Sequence, residues 1–237
     1  MRPLPRPGAL RRTSAVPSRV AAAALLAALA AAWLTAPAGA QDRQRRSRLF
    51  PPSDLGLLEG PDRDAWQQPG RIMDALGIGD GSAVADVGAG GGWFTVRLAR
   101  RVGPNGRVYA EDVQPQMIES IDRRVQREGL RNVRTVLGTS QDARLPEGQL
   151  DAILIVDAYH EMGDNGVTLL RNLALGLKKN GRLGIVDYRL DGRGGPGPDL
   201  SERMRPEEVV EDAKAAGLRL VSHETFLPFQ YLLIFGR

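Results

Sequence analysis

Val84-Ala85-Asp86-Val87-Gly88-Ala89-Gly90-Gly91-Gly92-Trp93-Phe94-Thr95 carries an apolar strand straight into a glycine cluster and then into an amphipathic helix. Glycines at 88, 90 and 92 let the backbone turn sharply and come close to a ligand, because they lack the Cβ that would forbid positive φ or collide with it. The sequence on both sides repeats this theme of strand, turn and helix. A short helix around Gly70 to Leu76 precedes the strand Ala83 to Val87, and Phe94, Val96, Leu98, Ala99 and Val102 set the apolar face of the helix that follows. That helix stops near Gly103-Pro104-Asn105-Gly106. Further strands are predicted at Arg107 to Glu111, Val133 to Leu137, Ala152 to Val156 and Leu183 to Asp187. Helices are predicted through Met117 to Val125 and over Thr168 to Lys178. The alternation predicts an α/β fold with a mostly parallel sheet covered on both faces. Ala152-Ile153-Leu154-Ile155-Val156 is continuously apolar, as a central strand buried on both sides requires. After a helix over about Glu207 to Ala216, the segments Leu218 to Thr225 and Tyr231 to Phe235 are separated by a connection too short for a parallel crossover. They read as a hairpin, with Phe226, Leu227, Phe229 and Tyr231 as its core.

The N-terminus has a different composition. Arg2, Arg6, Arg11, Arg12 and Arg19 precede an uncharged, alanine-rich run from Val20, which ends at Ala38-Gly39-Ala40. This layout predicts a secretory signal over residues 1–40, cleaved after Ala40, and hence an exported, periplasmic or secreted protein. The alternative is an inner-membrane anchor, since residues 20–40 are long enough to span a bilayer. Residues 41–64 are charged and aperiodic and read as a linker into a single domain over 65–237. The chain holds 32 Lys and Arg against 28 Asp and Glu. Without its first 40 residues the balance is 27 against 28, so the basic character gives no argument for nucleic acid. There is no cysteine, and the two histidines, His160 and His223, have no ligand-spaced partner, so no metal site is expected.

A dinucleotide-binding fingerprint would place a third glycine at position 93, where Trp93 stands, and no Tyr-x-x-x-Lys pair is evident; an NAD(P)-dependent oxidoreductase is therefore the weaker enzyme reading. The spacing Asp86-x-Gly88-x-Gly90-x-Gly92 instead resembles motif I of class I S-adenosylmethionine (SAM)-dependent methyltransferases. The order of elements from Trp66 to Arg237 is similar to theirs throughout. The resemblance implies a seven-stranded, Rossmann-like sheet with an antiparallel terminal strand. It also implies methyl transfer from SAM to a small-molecule acceptor, as in the branch that includes quinone-biosynthesis enzymes. A SAM-binding protein without catalysis is the alternative. SAM offers a ribose diol, an adenine amino group and an amino-acid end, so its site needs acceptors for the first two and backbone donors for the carboxylate.

Asp86 heads the motif, where a carboxylate can organise the turn and face the amino end of SAM. Gly88, Gly90 and Gly92 supply the turn, and the helix after them favours a carboxylate through its partial positive charge. Asp112, ending Val108-Tyr109-Ala110-Glu111-Asp112, matches the acid that takes the ribose hydroxyls, with Glu111 as fallback. Asp142, in Gly138-Thr139-Ser140-Gln141-Asp142, matches the acid that accepts from the adenine amino group, with Gln141 as fallback. Asp157-Ala158-Tyr159-His160-Glu161-Met162 matches motif IV, beside the transferred methyl. His160 is the candidate proton acceptor there, with Tyr159 beside it and Asp157 or Glu161 able to orient it. The adenine-methylase pattern Asn/Asp-Pro-Pro-Tyr/Phe is absent at this strand end. The Gly/Pro-rich stretch 190–200 is either a loop that closes on substrate or a passive connector.

Overall fold

The computed structural model describes residues 49–191 and 195–237. The proposed signal segment, its cleavage point and the alternative anchor fall outside these residues, as do positions 41–48. Among the described residues no helix is long and apolar enough to cross a membrane.

Seven strands form one sheet: β1 (Ala83–Val87), β2 (Arg107–Asp112), β3 (Val133–Leu137), β4 (Leu150–Val156), β5 (Leu177–Tyr188), β6 (Arg219–Glu224) and β7 (Gln230–Gly236). Their order is β3-β2-β1-β4-β5-β7-β6. Strands β1 to β5 pair in parallel, while β7 runs antiparallel to both β5 and β6. The reversed strand is the last in sequence but second from the sheet edge, because the hairpin inserts it between β5 and β6. Strand order reverses direction between β1 and β4, which opens a crevice at their carboxyl ends.

Period-two alternation distributes each central strand between two apolar layers. Ile153 and Ile155 of β4 face α5 (Gly166–Gly176) and α6 (Pro206–Ala215), packing with Leu170, Leu173, Val209 and Ala213. Ala152, Leu154 and Val156 face the other layer, formed by α2 (Pro69–Ala75) and α3 (Trp93–Val102) through Ile72, Phe94, Leu98 and Val102. Asp86 shares the parity of Val84 in β1, and so points to the α3 side. The remaining α-helices among the described residues are α1 (Arg63–Gln67) and α4 (Pro115–Arg127), the latter burying Met117 and Ile121.

Two sequence expectations need revision. The span 41–64 is not wholly a linker: residues 52–58 form a 3-10 helix and α1 begins at Arg63. The aromatic tail divides, since Leu227 and Tyr231 are buried in the core whereas Phe229 is half-buried and packs its ring against Trp66 of α1.

Candidate active site

The glycine turn follows from where β1 ends. Gly88 has φ +67°, and a Cβ there would lie 2.7 Å from the Cβ of Ala158, which follows the adjacent strand β4. No other residue fits without moving that neighbour. Gly90 (φ +55°) turns a side with only van der Waals neighbours to a cavity, Gly91 packs under Leu55 and Glu59, and Gly92, capping α3 at φ +76°, faces Ile121 of α4. Gly92 therefore makes the helix entry, and Gly91, which the motif spacing passed over, lines the cavity.

Three acids surround this turn. Asp86 accepts a 2.6 Å hydrogen bond from the Thr95 hydroxyl. Burial pushes its carboxyl up to about 6 against the opposing effects of Thr95 and Arg63. Asp112 accepts from the backbone N–H groups of Gly90 (3.0 Å) and Gln114 (2.9 Å). Glu111 accepts from the Gly88 N–H at 3.4 Å through Oε2. Its Oε1, among the described residues, is a buried polar atom with no partner. Burial, reinforced by the Asp112 charge, pushes Glu111 up to about 8, so this acid is largely protonated at neutral pH. Sequence reading treated Asp112 and Glu111 as alternatives; the structure puts both in the cavity wall.

Asp142 is placed differently from the expectation. Its Oδ1 accepts from the Arg144 N–H and from Asn172 of α5, and the residue is exposed rather than on the cavity wall. Its fallback, Gln141, is also exposed and donates to Asn165. Ser140 is the member of this loop that reaches the cavity, with Asn165 opposite. The backbone of 139–142 curls on itself through Thr139–Asp142 hydrogen bonds, and so turns the Asp142 side chain outward.

The motif after β4 also splits. Tyr159 is buried in the core and its hydroxyl meets Asp212 of α6 at 3.1 Å, so it supports the fold beneath the crevice. His160 holds Asp187, at the end of β5, through Nδ1 (2.9 Å) and its backbone N–H (3.1 Å). Burial alone would lower the imidazole pKa, but the charges of Asp187, Glu161 and Asp157 and the Asp187 hydrogen bond outweigh it and raise the ring to about 9. These charges favour the protonated ring, with Nδ1 engaged by Asp187 and Nε2 turned toward Glu161. Asp157 adopts φ +56° and is saturated with donors: Gln67 at 3.0 Å, Arg63 at 3.3 Å, the Tyr188 hydroxyl at 3.5 Å, and Gln230. Burial raises it to about 6 despite Arg63. Glu161 accepts the Phe50 N–H at 3.0 Å through Oε2, and its Oε1 lies 3.9 Å from His160 Nε2. Burial, opposed by the His160 charge, brings it up to about 7.

Two cavities meet across Asp157 and Glu161. The inner one, about 260 Å³, is lined by the glycine turn, Asp86, Glu111, Asp112 and Met117. The outer one, about 860 Å³, is lined by Trp66, His160, Tyr188 and Phe229 and by Gly195 to Pro198 of the Gly/Pro-rich stretch. A strap of residues 49–59 crosses both. It is pinned by the Phe50–Glu161 bond, by Gln114 Nε2 donating to Phe50 O (3.0 Å), and by an Arg124–Glu59 ion pair. The sequence reading missed this strap, Arg63, Gln67 and Gln230. Asp187 was noticed as a strand end, and that position was the signal that it faces the crevice.

Residues 84–181 match the family described as "Methyltransferase domain". The seven-stranded sheet and the glycine turn agree with this match over residues 84–181 in pointing to a Rossmann-like methyltransferase fold. The chain is similar to the crystal structure of a SAM dependent methyltransferase from Aquifex aeolicus, with 28% identity and a TM-score of 0.74, covering 79% of this chain and 98% of that one. It is 31% identical over 165 residues to an uncharacterized methyltransferase of Mycobacterium bovis, covering 67% of this chain and 64% of that protein. It is 30% identical over 122 residues to the ubiquinone/menaquinone biosynthesis C-methyltransferase of Pasteurella multocida, covering 49% of this chain and 43% of that protein. The chain thus spans less than half the length of that curated relative.

Proposed function

We propose that this chain is a SAM-dependent methyltransferase acting on a small-molecule acceptor. In this reading SAM occupies the inner cavity and the acceptor the outer one. The observation that carries it is the wall at the ends of β1 and β2. Asp112 is fixed to the glycine turn, Glu111 keeps a buried oxygen without a partner among the described residues, and Gly90 leaves the space that a Cβ would fill. A ligand with hydroxyls at one end and a carboxylate at the other fits that donor and acceptor set. Asp112 and Glu111 would face the ribose, Ser140 the adenine edge, and Asp86 with the backbone of the turn the amino-acid end. When bound, SAM supplies a methyl group activated by its sulfonium.

The chain's own residues then align the acceptor. The Arg63–Asp157 pair, held by Gln67 and Gln230, borders both cavities, and the strap crosses them. The His160–Asp187 ion pair, neutral as a unit, reaches the outer wall through the His160 ring. The experiment is incubation of the full chain with methyl-labelled SAM and a panel of small hydroxylated, amine-bearing and carbon-acid compounds. Label transfer to at least one supports the reading. SAM binding without any transfer supports the non-catalytic alternative. We also infer export, which rests on the composition of residues 1–40; mass spectrometry of the mature protein would find Gln41 at the N-terminus.

A further inference from the structure

Three features of the outer chamber bear on what it accepts. The first is its wall. The Trp66 ring lies 6.4 Å from Tyr188 and 6.1 Å from Phe229, centroid to centroid, tilted to one and edge-on to the other. These rings come from α1, from β5 and from the loop before β7, so the tertiary fold brings them together. Together they line the chamber with aromatic area, against which a flat apolar body gains from burial and ring contacts. Gly195 and Gly197 pack directly on Phe229 and Tyr188, where an added Cβ would come within 2.4 and 2.6 Å of a ring atom, so the backbone backs the rings closely.

The second feature is the polar end. Two carboxylates, Asp157 and Glu161, belong to the walls of both cavities, so a group meeting either one sits at their boundary. Asp157 is already engaged at both oxygens, Oδ1 by Gln230 and Oδ2 by Gln67, Arg63 and the Tyr188 hydroxyl. Glu161 uses Oε2 for Phe50, while its Oε1 lies 3.9 Å from His160 Nε2, beyond hydrogen-bond reach. The third feature is charge. Arg63 is matched by Asp157 and His160 by Asp187, which leaves Glu161 as the acid at the boundary with the inner cavity, apart from Asp54, Asp62 and Glu202 at the chamber rim.

We propose that the outer chamber takes a planar aromatic alcohol, its ring against Trp66, Tyr188 and Phe229 and its hydroxyl donating to Oε1 of Glu161, which receives the hydroxyl proton during transfer. The O–H bond breaks toward Glu161, and the freed electron pair of the oxygen forms the new carbon–oxygen bond. The carbon–sulfur bond of the sulfonium donor breaks in the same event, leaving a neutral thioether. His160, held charged by Asp187, is a positioning residue that favours the ionised form of Glu161. This inference rests on the reading of the two cavities given above. An acid raised toward neutrality suits a proton acceptor at physiological pH. The groups acting on Glu161 are His160 beside it, Asp187 of β5, Asp112 of β2 and the Phe50 N–H of the strap, with Arg63 and Asp157 in the same wall and Asp54, Asp62 and Glu202 at the chamber rim.

The test is calorimetric titration of the full chain, first with S-adenosylhomocysteine and then, at its saturation, with 2-naphthol, 2-methoxynaphthalene and cyclohexanol at pH 6, 7 and 8. The proposal expects 2-naphthol to bind at least tenfold tighter than either control. Its affinity should rise about tenfold from pH 6 to pH 8 as Glu161 ionises. Glu161→Gln should abolish that pH dependence, and Trp66→Ala should weaken 2-naphthol in the otherwise unaltered chain. Binding of S-adenosylhomocysteine with 2-naphthol no better than its controls overturns the proposal alone. So does a pH dependence that persists in Glu161→Gln, or full 2-naphthol affinity in Trp66→Ala. Failure of S-adenosylhomocysteine to bind overturns the cofactor reading, and the proposal with it.

Discussion

Asp112 Oδ2 accepts the backbone N–H of Gly90 at 3.0 Å, which ties the acid ending β2 to the turn ending β1. The bond fixes both halves of the candidate SAM site relative to each other, so the turn does not have to be ordered by ligand. Asp112→Ala should remove a charged acceptor worth about 1.5–3 kcal/mol, a loss of roughly tenfold to a hundredfold in SAM affinity. Gly90→Val should weaken binding comparably by filling the cavity and straining φ. Fluorescence or calorimetric titration of folded variants checks both.

Gly88 differs from Gly90 in what surrounds it. With the Ala158 Cβ 2.7 Å from any added Cβ, and with φ +67°, Gly88→Ala should destabilise the fold itself by about 1–3 kcal/mol, through overpacking and backbone strain. Chemical denaturation should show this loss. Gly129, also at positive φ but with open space around it, should cost less on the same substitution.

The strand and helix pattern was legible because it is local. Apolar periodicity gave β1 and β3 to the residue, and glycine and proline punctuation gave most helix ends within two. The glycine turn and both acids of β2 were legible for the same reason, since a strand end in this topology points into the crevice. What was not legible depends on distant parts of the chain. Asp142 has the expected sequence position, but Asn172 and the Arg144 N–H hold its carboxylate outside. The surroundings of His160 depend on Asp187, 27 residues on, whose charge and hydrogen bond favour the protonated ring. Arg63, Gln67 and Gln230 converge on Asp157 from opposite ends of the domain, and neither the charged span 41–64 nor the terminal hairpin gave a local sign of it.

Stability should fall as pH rises from about 5 to 9. Glu111, Glu161, Asp86 and Asp157 are all raised by burial, to about 8, 7, 6 and 6, so the native state keeps protons that the unfolded chain has released. His160, raised to about 9, acts in the same sense, because its stabilisation is complete below the unfolded value near 6.5 and is lost through 9. Differential scanning calorimetry across this range should show a falling Tm. Glu111→Gln should flatten the slope and raise Tm at pH 8, where each kcal/mol recovered is about 2–4 °C for a domain of this size. A Tm that rises from pH 5 to 9 would refute this.

Asp187→Asn should lower the His160 pKa, since it removes the adjacent charge while keeping a hydrogen-bond partner. NMR titration of the imidazole would show the midpoint moving from about 9 toward or below the ordinary value of 6.5.

The central claim is that the inner cavity is built for SAM, and calorimetric titration of the full chain with SAM and, separately, with NAD tests it most directly. The account predicts one SAM bound per chain, with affinity reduced at least tenfold in Asp112→Ala and no measurable heat from NAD. Saturable NAD binding with none for SAM, or SAM binding indifferent to Asp112→Ala and Gly90→Val alike, would contradict it.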